Sequence, residues 1–167
     1  MMEIRPEAEE DEASIGFIVT SAFAQHPFSN QREHQLVDAL RHAGAMRLSL
    51  VALTGDSVVG HVCFSPIRIG RKDLGWVGLA PLAVLPSQQH RGIGTALVRT
   101  GLEQMRSLGV QGVTVLGNPD FYGRFGFVAR RALRLAGAPA RHFMALSFGE
   151  DWPEGDVEYH PIFAVWA

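Results

Sequence analysis

Apolar positions along this chain change period from one stretch to the next, and each change marks an element. Residues 76–85 form an apolar run of strand length, stopped by Pro86. From Ile93 the apolar residues recur at helical spacing (Ile93, Ala96, Leu97, Gly101, Met105), with Arg99, Glu103 and Arg106 on other faces. Residues 110–116 return to a β-branched, apolar strand pattern. Two strands joined by one helix over this length predict a parallel, right-handed βαβ crossover. Upstream, residues 2–5 suit a first strand. Pro6 and an acidic run then open a solvated helix start, with Ile15, Ile18, Val19, Ala22 and Phe23 as the apolar face. Gln25-His26-Pro27-Phe28-Ser29 breaks that helix. Asn30 followed by Glu33 predicts a capping box for a second helix carrying Leu36, Val37 and Leu40, closed by Gly44. Residues 47–53 and 58–69 predict two strands joined by a hairpin loop at Thr54-Gly55-Asp56-Ser57, with a bulge at Gly60. Gly70-Arg71-Lys72-Asp73 predicts a polar turn. Beyond residue 128 the pattern predicts strands over 142–148 and 157–166, with a loop at 151–155 between them.

Composition narrows the class. With 167 residues, 47% hydrophobic and 19% charged, the chain predicts one domain, 1–167, with a sizeable core. A net charge of -2 exerts no general pull on nucleic acid. No apolar run of about 18 residues indicates a membrane span. The acidic N-terminus is the opposite of a signal-peptide start. The single cysteine, Cys63, excludes an internal disulfide and suits a reducing cytosol. Set between Val62 and Phe64, it is a core residue rather than a nucleophile. No metal site is expected, and the chain is a monomer or homodimer.

The candidate chemistry gathers around residues 76–108. The turn Gln89-His90-Arg91-Gly92-Ile93-Gly94 sits where a helix begins. There, backbone N–H groups lack internal partners and the dipole is positive. Two glycines clear the approach for an anion such as pyrophosphate. A dinucleotide fingerprint would need a third glycine, and a P-loop would need Gly-Lys-Ser/Thr. Neither is present. Pro81 breaks one ladder bond inside the preceding strand. Either the strand opens there, freeing the donors of Leu82, Ala83 and Val84, or Pro81 lies harmlessly on an edge. Gly117-Asn118-Pro119-Asp120 predicts a short helix capped by Asn118. It is followed by Phe121, Tyr122, Phe125 and Phe127, more aromatics than an ordinary solvent loop carries.

Gln89, Gly92 and Gly94 fill the pattern Q/R-x-x-G-x-G/A, which resembles the acyl-CoA pyrophosphate loop of the GNAT superfamily of N-acetyltransferases. The stretch 122–127 is similar to that superfamily's Y-x-x-x-G-F. The longer stretch 116–127 resembles a bacterial subgroup of predicted acetyltransferases, departing from it at Asn118 and Phe121. The resemblance implies an α/β (α+β) fold: a GNAT-like domain with a mixed, mostly antiparallel sheet, one parallel βαβ crossover and flanking helices. It further implies acetyl-CoA as the acyl-donor cosubstrate and an amine acceptor; the charge and the lack of an apolar span add the expectation of no nucleic-acid or membrane partner. Leu82, Ala83, Val84, Gln89, His90, Arg91, Gly92, Ile93, Gly94 and Thr95 would bind the donor, together with Asn118, Phe121 and Phe125. Tyr122 would protonate the departing thiolate, with a charged neighbour such as Arg124 adjusting its acidity. Glu33, His34, His61 and Asp120 are candidate bases by type, and the sequence does not choose among them. A non-catalytic acyl-CoA sensor is the alternative, because it would keep the turn and need no proton donor.

Overall fold

A computed structural model describes residues 2–24, 26 and 29–166. In chain order the elements are β1 (Met2–Pro6), α1 (Glu12–Phe23), α2 (Glu33–His42), β2 (Leu48–Thr54), β3 (Ser57–Pro66), β4 (Arg68–Ile69), β5 (Trp76–Val84), α3 (Ile93–Ser107), β6 (Gly112–Leu116), α4 (Pro119–Tyr122), β7 (Leu133–Arg134), β8 (Phe143–Ser147), β9 (Gly155–Glu158) and α5 (Ile162–Trp166). Six strands form the main sheet in the order β1-β2-β3-β5-β6-β8, and β4-β9-β7 form a smaller one. Every neighbouring pair in the main sheet is antiparallel except β5 and β6, which α3 joins in parallel. The expected fold class is therefore the observed one.

Both faces of the main sheet are covered at its centre, which is why β2, β3 and β5 are buried over most of their length, while the edge strand β1 is not. Along β2, Leu50 and Ala52 point to the face under α3, where they meet Leu97, Val98 and Met105. Val51 and Leu53 point the other way, to Ile15, Ile18 and Val19 of α1 and Val37 of α2. Among the described residues no helix is long and apolar enough to cross a membrane.

Four expectations change. The expected strand 58–69 ends at Pro66, which has no N–H for the ladder. After it the chain crosses to the smaller sheet as β4. The capping box at Asn30 and Glu33 does not form. Arg32 is the cap residue of α2, and Glu33 is already in the first turn, where its carboxylate accepts from Ser29 Oγ at 2.6–2.7 Å. The acidic run is only partly solvated. Asp11 is buried, pairs with Arg5 at 2.7 Å and accepts the Ala8 N–H, while Glu7 pairs with Arg41 at 2.7 Å. The expected strand 157–166 is β9 followed by α5. Pro161 interrupts strand pairing, and Ile162 and Phe163 gain more by packing on Leu36, Leu40 and Cys63. The expected helix break at residues 25–29 lies partly outside the described residues.

Candidate functional site

The site begins where β5 and β6 part. Their parallel pairing runs from Trp76 opposite Gly112 to Leu79 opposite Val115 and goes no further. On the other side of β5, Ala80 and Pro81 together oppose Cys63 alone, since Val62 pairs with Leu82 and Phe64 with Leu79. The proline is thus accommodated by a bulge on one edge and an opened gap on the other. Beyond the bulge, the Leu85 N–H donates to Val59 O at 2.9 Å on β3. Backbone direction alternates along a strand, so Ala83 also faces β3, while the N–H groups of Leu82 and Val84 face the gap. Gln89 Nε2 donates to Val84 O at 3.1 Å and ties the following turn to this open edge.

That turn delivers the start of α3 to the same gap. His90 and Gly92 have φ of 66° and 83°, in the left-handed region that glycine adopts at least cost. No described side chain caps α3, and its first helical bond runs from Ala96 N–H to Gly92 O at 3.0 Å. The N–H groups of Ile93, Gly94 and Thr95 therefore have no helical acceptor and form the positive end of a fifteen-residue helix. A Cβ on Gly92 would meet nothing within 4 Å, so the φ angle, not crowding, calls for glycine there. A Cβ on Gly94 would sit 3.7 Å from Phe121, 3.8 Å from Val84 and 3.9 Å from Leu82. One carbon fits, and anything larger projects into the gap.

The third component comes from the chain after β6. Asn118 Oδ1 accepts the Asp120 N–H at 2.9 Å and caps α4, as its position in the sequence predicts. Tyr122 ends that short helix. Its ring lies against the Gly117 backbone, where a Cβ would be 2.5 Å away, and packs edge-on against Phe121 and Phe127 at 4.9 and 5.8 Å between centroids. Tyr122 is buried, and burial raises its pKa above the ordinary phenol value, with a smaller push in the same direction from Tyr159. Arg124, the neighbouring charge anticipated from sequence, stacks its guanidinium over Phe121 at 5.9 Å and lines the same cleft.

Together these pieces line a cleft of about 1330 Å³. That exceeds the roughly 300–1,000 Å³ of ordinary small-molecule pockets. Of the donor-binding residues expected from sequence, Arg91 and Phe125 stand outside the lining. Arg91 is exposed, and Phe125 packs on Phe121 at 5.3 Å under Arg99. The far half of the cleft is walled by Phe23, Glu33, Leu36, Leu135, Tyr159 and Phe163. Tyr159, whose hydroxyl bonds Thr114 Oγ1 at 2.9 Å and is pushed up to about 12 by burial, was missed in the sequence. The signal available was the aromatic pair Tyr159 and Phe163 flanking Pro161.

The four candidate bases separate. Glu33 and Asp120 line the cleft, and His34 does not. His61 is fully buried away from it, with burial lowering its pKa to about 4. Cys63 is buried, its thiol pushed up to about 12 by burial, as befits a core residue.

Over residues 7–127 the chain matches the model of the Acetyltransferase (GNAT) family. It is 40% identical over 107 residues to YhbS of Escherichia coli K12, described as an uncharacterized N-acetyltransferase; the aligned stretch spans 64% of this chain and 64% of that relative. Among solved structures, a GNAT family acetyltransferase from Brucella melitensis in complex with acetyl-CoA is 45% identical, with a TM-score of 0.88 and 98% of both chains covered. The structure of Escherichia coli YhbS in complex with CoA is 34% identical, with a TM-score of 0.85 over 98% of this chain and 92% of that one.

Proposed function

This chain belongs to the GNAT family of acetyltransferases, and on that premise we propose that it moves an acetyl group from acetyl-CoA to an amine by direct attack. One observation carries the reading: the uncapped start of α3, the unpaired edge of β5 and Tyr122 all meet in one cleft. The N–H groups of Ile93, Gly94 and Thr95 hold the donor's pyrophosphate. Those of Leu82 and Val84 hold the pantetheine arm by strand-like bonds and polarise the thioester carbonyl. The amine enters from the far half, where Glu33 lies in the wall; Asp120, in the first turn of α4, lines the same cleft. Either carboxylate takes a proton from an ammonium directly or through a water, a needed step because a lysine-like amine is only about 0.04% neutral at pH 7. Tyr122 gives its proton to the departing thiolate and is reprotonated, directly or through water, by the proton that the attacking nitrogen loses as the amide forms. The phenol is protonated at neutral pH; burial makes it a weaker acid, and desolvation of the thiolate it serves raises that thiol's pKa in the same direction, which keeps the transfer within reach. Residues 1–167 act as one acyl-CoA-binding domain in the cytosol, where a lone buried cysteine is at home.

The test is a titration with acetyl-CoA by calorimetry, followed by an amine panel with free-thiol detection. A one-to-one complex competed by CoA, and thiol release with at least one amine, are the expected results. No heat and no thermal shift at millimolar acetyl-CoA would overturn the reading.

A further inference from the structure

The segment from residue 128 to β8, which includes β7, carries Arg130, Arg131, Arg134 and Arg141, in a chain whose net charge is -2. Successive turns fold it back on itself: Leu133 N–H bonds Arg130 O at 3.1 Å, Ala138 N–H bonds Leu135 O at 3.1 Å, and His142 N–H bonds Pro139 O at 3.0 Å. The four arginines thereby line one open pocket of about 600 Å³. Its floor is apolar, made by buried Leu133 and Phe143 with half-buried Leu135 and Ala138, and among the described residues no carboxylate lines it. Two of the cations are already engaged. Arg130 stacks over Trp152 at 4.0 Å, and Arg134 pairs with Asp156 at 3.0 Å. No described residue pairs with Arg131 or Arg141. Leu135 is shared: it walls this pocket and also the far half of the acetyl-transfer cleft.

We propose that this pocket is an anion site that holds the acidic end of the acceptor, so that the substrate class is an amine carrying a carboxylate or phosphate at its far end, with an apolar spacer between. Arg131 and Arg141 supply the free guanidinium donors that suit a planar carboxylate or a phosphate. The spacer crosses Leu135, which is why the shared wall is apolar. The amine end rests on the acetyltransferase reading, and the anion site does not.

Two series of acceptors of graded length test it, ω-amino carboxylates and ω-amino phosphonates, each beside its neutral amide or ester. At one length the anionic compound should show kcat/KM about tenfold or more above its neutral partner, the scale of a charge-assisted hydrogen bond. Which series gains more distinguishes carboxylate from phosphate. The double substitution R131A/R141A should erase that preference with unchanged acetyl-CoA affinity, and R131K/R141K should keep part of it. Equal use of anionic and neutral acceptors at every length overturns the proposal, as does a preference that survives R131A/R141A. Direct binding of the same compounds to protein saturated with CoA, which blocks the α3 turn, supplies a readout independent of catalysis. Binding lost in R131A/R141A supports the site even if no amine is acetylated, and no binding of any anionic compound overturns it. Failure of the acetyltransferase reading shows separately, as absence of acetyl-CoA binding.

Discussion

Removing the imidazole of His61 should flatten the acid side of this protein's stability curve. His61 is fully buried on β3, with Nε2 2.8 Å from Ser49 Oγ. Ser49 in turn donates its one hydrogen to the Glu7 carboxylate, so Nε2 must carry the proton of a neutral ring and Nδ1 is bare. No described group bonds that Nδ1. Burial lowers the pKa from 6.5 to about 4, and Arg41 pushes the same way. Glu7, with Oε1 3.9 Å from Nε2, opposes both. In the unfolded chain the ring takes a proton near 6.5, well before the folded protein does. The unfolded state therefore binds more protons between those values. Stability is full above pH 6.5 and is lost as pH falls toward 4. A shift of that size corresponds to roughly 3 kcal/mol in all, of which about 2 kcal/mol is gone by pH 5. Against a typical total of about 5–15 kcal/mol, this is easily measured. Glu7 and Asp11 are held below their ordinary values of 4.5 and 3.8, Glu7 against its own burial by bonds from Arg41 and Ser49, and Asp11 by the bond from Arg5. Their contributions are present above those values and fall away below them, so the range from pH 8 to 5 isolates the histidine. Urea unfolding of wild type and His61→Gln at pH 8, 7, 6 and 5 gives the comparison. The variant is less stable at pH 8 but should lose about 2 kcal/mol less than wild type on going to pH 5. The other histidines are common to both proteins and cancel. Parallel curves would refute the reasoning, because they would mean His61 titrates alike in both states.

The two glycines of the α3 turn should respond differently. Gly94→Val leaves room for Cβ but drives its methyl groups into the gap, so acetyl-CoA affinity should fall by at least ~2 kcal/mol in calorimetry with a near-normal melting temperature. Gly92→Val adds backbone strain at φ 83° and should lower the melting temperature as well. Tyr122→Phe keeps the ring packed on Phe121 and Phe127 and removes only the hydroxyl; kcat should drop on the order of 10²-fold with acetyl-CoA affinity unchanged, and the drop should shrink at low pH. Wild-type turnover in that variant, under conditions where chemistry is limiting, would leave Tyr122 as a packing residue.

By itself the sequence determined what depends on residues a few positions apart. Helical spacing from Ile93 to Met105, the strand lengths on either side, the glycine turn at 92–94 and the Asn118 cap are all local, and they appear in the structure where the pattern puts them. Pro81 announced a defect in β5, because a missing N–H is a property of the residue. That it becomes a bulge toward β3 and a gap toward β6 was decided by which strands lie alongside. The same divide separates the two halves of the cleft. The half assigned to the donor is built mainly on one continuous strand–turn–helix, whose local elements were legible. The far half joins Phe23 and Glu33 to Leu135, Tyr159 and Phe163, residues brought together only when α2 and α5 pack on the same side of the sheet. Tertiary packing also turned α5 into a helix from an apolar run that suited a strand, since a short run of that kind takes the conformation that buries it best. It likewise settled His61, a candidate base by residue type and a buried neutral ring in fact. Burial depends on surfaces contributed by α1, α2 and β5 together, and no spacing within β3 encodes them.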